Sequence, residues 1–140
     1  MTVQRKIYIF LLALVLLVVG CGIYFFYRTP IIAFNLFHVS NEYMSCNTQN
    51  LFIYFVVYCL PDALWYMSLL LVQLLFLKET GWLNRLLIAI AFSLPFLLET
   101  GQYIGLISGT FDWFDIISYC LTLILFLCLR KIFLHLHYKL

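Results

Sequence analysis

Charge is what this chain has least of. Of 140 residues, eight are Lys or Arg and six are Asp or Glu, a tenth in all, while 66% are apolar. A soluble domain of this length has nowhere to hide so much apolar surface, so a soluble globular fold is excluded. No basic tract interleaved with aromatics occurs, which argues against nucleic acid as a partner. No Cys-x-x-Cys pair occurs either, so neither a zinc site nor a disulfide framework is expected. Of the five cysteines, Cys21, Cys59, Cys120 and Cys128 lie in apolar segments, where free cysteine behaves as a small hydrophobe. Cys46 lies in a polar stretch with no obvious partner there. Histidine is as sparse: His38 is alone, and His135 and His137, two apart on a helix, point in different directions. No resident metal and no cofactor is expected, although Asp62, Glu99, Asp112 and Asp115 together carry enough oxygens for Mg²⁺ or Ca²⁺.

What is present is long apolar runs. Ile7 to Tyr27 carries no charge and is long enough for one spanning helix of about 20 residues. Within it Val18-Val19-Gly20-Cys21 resembles a bacterial lipoprotein cleavage site. The run continues past Cys21, however, and a continuous span is the simpler reading. A polar stretch from Thr29 to Asn50 follows, with Pro30 as a breaker and an apolar middle suited to the membrane interface. Residues 51–77 are apolar but interrupted by Pro61 and Asp62. Since proline is tolerated in a first helical turn, the second span is expected over 58–77, starting near Pro61 or kinked there. The third is expected over 86–104 and the fourth over 114–129, with 132–140 as an interfacial continuation. Trp65, Trp82 and Trp113 read as interfacial belt residues. The expected fold is all-α: a single domain, polytopic in the membrane, with a bundle of four transmembrane helices.

Orientation follows from counting. With the N-terminus in the cytoplasm, Arg5, Lys6, Lys78, Arg85, Arg130, Lys131 and Lys139 fall inside and only Arg28 outside. That bias favours a multi-pass protein of the cell inner membrane with both termini cytoplasmic. The net charge of +2 reflects this topology and not a binding face.

The few polar residues within the spans then stand out. Asp62 falls near the outer start of the second span, Glu99 and Gln102 near the outer end of the third, and Asp112 and Asp115 at the outer start of the fourth. Ionised carboxylates are costly in hydrocarbon, so the five are candidates for one buried ligand-binding site. Each also has a plainer reading. Glu99 and Gln102, three apart on one helical face, would serve equally as interhelical hydrogen-bonding glue. Asp112 suits an N-cap, with Thr110 as a second candidate, and Asp62 suits a first helical turn. Asp115, a turn deeper, is harder to read as a cap.

The series Glu99-x-x-Gln102, a glycine-containing loop and Phe111-Asp112-Trp113-Phe114-Asp115 resembles the signature of VanZ-like membrane proteins, with Asp62 matching an upstream aspartate. The resemblance covers about residues 58 to 128. Two positions depart from it: Gly109 and Thr110 stand where the family has an arginine, and Tyr119 where it has an asparagine. The resemblance implies a small bacterial multi-helix membrane protein and a link to resistance against teicoplanin-type glycopeptide antibiotics.

Three functions are compatible with these residues. The first is an outward-facing acidic pocket that binds an envelope or lipid-linked ligand among the membrane lipids. The second is a membrane enzyme using a carboxylate-held divalent metal on a lipid-linked phosphate. The third is a structural subunit of a larger complex, whose protein partner the sequence does not name.

Overall fold

The computed structural model describes residues 3–27, 51–76, 81–109 and 111–135, with side chains omitted at 76 and 132–135. The described residues form four long helices and no strand, so the chain is all-α. Each helix is long and apolar enough to cross a membrane. Helix α1 is Val3–Tyr27. Helix α2 runs continuously through Leu51–Tyr54, a π turn at Phe55–Cys59, and Leu60–Phe76. Helix α3 is Trp82–Tyr103 and α4 is Trp113–His135. The interfacial stretch around His38, Cys46, Thr110 and the tail from residue 136 lie outside the described residues.

The second span was expected over 58–77, starting near Pro61 or kinked there. The helix starts earlier, at Leu51, and passes Pro61 with an irregular turn just ahead of it. The π turn makes this possible. In a regular α-helix the Pro61 ring would collide with the Val57 carbonyl, four residues back. Here the Leu60 N–H bonds to Phe55 O, five residues back, and the wider turn relieves that collision. Asp62 is in the first turn of the α segment Leu60–Phe76, as expected, but that segment continues the π turn and so is not a free helix start.

Helix α2 is the centre of the bundle. It packs against α1, α3 and α4, whereas among the described residues α1 packs on α2 alone. Half of α2's most apolar stretch is buried, against 17% for α1 and 11% for α3, so α2 supplies most of the interior. The core joins Ile9 and Ala13 of α1, Tyr66, Met67, Leu70 and Leu71 of α2, and Tyr119 and Phe126 of α4. Tyr66 sets the spacing among three helices. Its ring meets Phe96 and Tyr119 edge-on, and its hydroxyl donates to the Phe92 carbonyl at 2.9 Å. That carbonyl lies in the turn ahead of Pro95, where a proline disturbs the helical ladder and leaves acceptors to be satisfied from outside.

The α1–α2 contact uses small residues. Ile9, Ala13 and Gly20 fall on one face of α1 and are its buried positions. Ser68 Oγ donates to the Ala13 carbonyl at 2.8 Å, a bond that needs close backbones. A Cβ at Gly20 would stand 2.8 Å from Trp65 Cδ1 and 3.1 Å from the Pro61 carbonyl. Small residues at such seams let helices approach where lipid offers no hydrophobic drive to associate. Trp65, expected in an interfacial belt, is therefore an α1–α2 packing residue, with Tyr24 against its ring at 5.3 Å. Gly20 also gains a reason to be glycine that is independent of any cleavage motif.

Gly20→Leu should lower stability in detergent by about 1–3 kcal/mol, the usual cost of overpacking a tight contact. Gly22→Leu is the control, because a Cβ there meets nothing within 4 Å. Equal shifts in Tm for the two variants would mean that the α1–α2 seam is not close-packed.

Candidate functional site

The polar residues gather at one end of the bundle, where the π turn of α2, the C-terminus of α3 and the N-terminus of α4 meet. The α3 end is shaped by its termination. Gly105 N donates to Gln102 O at 3.1 Å and Leu106 N to Gly101 O at 2.8 Å, with Gly105 at φ 73°. This is a Schellman closure, which ends the helix and turns the chain back over it. The returning loop presses Gly109 onto Gln102. A Cβ at Gly109 would lie 2.7 Å from the Gln102 Cδ, and its φ of 148° is itself one that favours glycine. Gln102 is thus half-buried as a packing surface for the loop.

Asp112 begins α4. Its Oδ1 accepts the Phe114 N–H at 2.9 Å, the N-cap bond expected of it. Its Oδ2 accepts the Tyr54 hydroxyl, which ties α4 to the start of α2. Both carboxylate oxygens are therefore engaged. Glu99 is 5% exposed, and its Oε2 accepts the Asp112 N–H at 3.5 Å, fastening α3 to the same cap.

Asp115 differs. It is the third residue of α4, about one turn beyond the Asp112 cap as expected. A side chain at this position commonly reaches back to the N-cap N–H to complete a capping box. Glu99 holds that N–H instead. Asp115 is 6% exposed, its Oδ1 has no hydrogen-bond partner, and Cys59 of the π turn is its neighbour. Asp62, Glu99 and Asp112 are all within electrostatic reach of it. Four acids from three helices thus converge, with Gln102 at the edge.

Positive charge is placed elsewhere. The basic residues among those described, Arg5, Lys6, Arg85, Arg130 and Lys131, sit at the opposite helix ends. At 1.5 Å per residue that is on the order of 20 Å away. Among the described residues, no three His, Cys, Asp or Glu side chains form a group that could hold a metal ion.

Comparison with family models, curated proteins and solved structures gives no match to this chain. The site has to be read from its own geometry.

Tyr54, Tyr58 and Cys59 were not among the expected site residues. Tyr54 and Tyr58 stack at 4.9 Å, and Phe114 meets Tyr54 edge-on at 5.9 Å, forming an aromatic wall beside the carboxylates. The spacing Tyr54, Tyr58, Asp62 repeats every four residues and would have marked one helical face. It was obscured because the span was expected to begin at 58, which left Tyr54 outside it.

A double-mutant cycle of Tyr54→Phe and Asp112→Asn should show coupling of about 1–2 kcal/mol, as for a hydrogen bond to a charged group in an interhelical setting. Additive losses in stability would mean that the two side chains do not act as a pair.

Proposed function

We propose that this chain is a bacterial inner-membrane protein with both termini cytoplasmic, whose outward-facing acidic site binds a positively charged envelope or lipid-linked ligand. The observation that carries this reading is the Asp115 carboxylate, buried among three other acids with one oxygen unpartnered. Leaving a buried polar atom unpaired costs about 1–3 kcal/mol. A site that retains that cost, and sets its described bases at the far helix ends, suits a cation arriving from outside the chain. The seven-to-one distribution of Lys and Arg supports an outward orientation for the cluster. The resemblance of Glu99, Gln102, Asp112 and Asp115 to the VanZ-like signature supports placement in the cell envelope and a link to resistance against teicoplanin-type glycopeptides.

Asp62 and Glu99 contribute negative potential, and Asp115 supplies the acceptor. Asp112 has a different task, since its oxygens hold the α4 cap and Tyr54. Gln102 shapes the loop over the site.

The test is binding of a cationic amphiphile series to the protein in nanodiscs, read by tryptophan fluorescence, for the native chain and Asp115→Asn. Loss of one charge-assisted contact should weaken binding about tenfold or more. Helix content should stay unchanged. Undiminished binding by Asp115→Asn, or no binding of any cation by the native chain, would defeat the reading.

A further inference from the structure

Not every cation suits the free acceptors of this site. Both Asp112 oxygens are committed, to Tyr54 and to the Phe114 N–H, and Glu99 Oε2 faces the Asp112 N–H. On Asp115, Oδ1 is buried and unpartnered, with Cys59 as a neighbour. Among the described residues, Asp115 Oδ1 is the one carboxylate oxygen that is both buried and unpartnered, with further negative charge within electrostatic reach and the Tyr54, Tyr58 and Phe114 rings stacked where Tyr54 meets Asp112.

Three kinds of cation make different demands. A divalent metal such as Ca²⁺ takes six to eight oxygens, or at least several carboxylates, and the described residues provide no such group. A guanidinium is best held by two oxygens of one carboxylate, and the described residues offer a single carboxylate oxygen that is buried and unpartnered, Asp115 Oδ1. An ammonium is a compact point charge that needs fewer acceptors and gains from aromatic surfaces within about 6 Å.

We infer that the ligand of this site is an organic ammonium, held by Asp115 Oδ1 beside the Tyr54–Tyr58–Phe114 wall. This rests on the reading of the cluster as a cation site and names the chemical class it selects. Because Oδ1 is covered, occupation requires the packing around it to part. The π turn that carries Cys59 is where the bonding of α2 is already irregular, and such turns recur at functional positions. The ammonium has two sources, an amine-bearing lipid or a soluble amine. The surroundings lean to the lipid. Tyr103, Phe111 and Trp113 form an edge-on aromatic cluster beside the site at 5.1 and 5.0 Å, and Tyr103 and Trp113 are exposed. Such rings sit at the headgroup level of a bilayer.

The experiment uses the full chain in nanodiscs of phosphatidylcholine and phosphatidylglycerol. Dodecylammonium, dodecylguanidinium, Ca²⁺ and ethylammonium are titrated in separate arms, and a further arm replaces part of the phosphatidylcholine with phosphatidylethanolamine. Dodecylammonium should bind at least about tenfold more tightly than dodecylguanidinium, the equivalent of 1.4 kcal/mol. Tyr54→Leu should narrow that preference and Tyr54→Phe, which keeps the ring, should preserve it. Competition by phosphatidylethanolamine without competition by ethylammonium assigns the ammonium to a lipid, and the reverse assigns it to a soluble amine. Preference for Ca²⁺ or guanidinium, with sensitivity to Asp115→Asn retained, would overturn the ammonium assignment and leave a cation site standing. No binding in any arm would overturn both.

Discussion

Every backbone carbonyl and N–H of α2 has to find a partner while the helix passes Pro61 in apolar surroundings. Within a bilayer no water is available to accept the loose ends, so the helix must resolve the conflict internally. It does so with the π turn at Phe55–Cys59. The extra residue in that turn keeps the chain helical on both sides of the proline and changes the phase between them. Tyr54 thereby reaches the Asp112 carboxylate while Cys59 reaches Asp115. Since α2 touches all three other helices, the geometry of the entire acidic end depends on this local solution.

The carboxylates at that end divide by the partners they find. Asp112 and Glu99 hold the structure together: one caps α4 and receives Tyr54, and the other takes the N–H that a capping box would have used. Their roles satisfy the plainer reading of an interhelical and capping network. Asp115 is the remainder. Because Glu99 has taken the cap N–H, Asp115 is left with an orphan oxygen. A cluster that merely glued helices would gain by satisfying that oxygen or by replacing the carboxylate with a smaller neutral side chain.

Much of the fold is legible in the order of residues. The spans expected over 7–27, 86–104 and 114–129 appear as helices over 3–27, 82–103 and 113–135, because uninterrupted apolar runs have one economical backbone solution. Asp112 as an N-cap is legible too, since a short acid ahead of an apolar run has a local reason to be there. The second span is where local reasoning fails. Proline suits a first turn and interrupts an interior one, and only the π turn reconciles an interior Pro61 with a continuous helix. Tyr54 lay outside the expected span, and Cys59, near its start, read only as a small hydrophobe. Trp65 was assigned to an interface because its partner Gly20 lies on another helix, beyond the reach of any local pattern.

Composition and hydropathy alone determine that this chain is a set of apolar helices with its scarce acids near three helix ends. Those properties depend on each residue's own transfer energy and on neighbours a turn away. Tertiary structure decides which acids are satisfied and which is not. The sequence makes Glu99 and Asp115 equivalent buried carboxylates; contact between α3 and α4 gives the cap N–H to one and leaves the other unpaired. A hydrogen bond extends about 3 Å, so partners far apart in the chain are chosen by packing, and here packing chose Asp115.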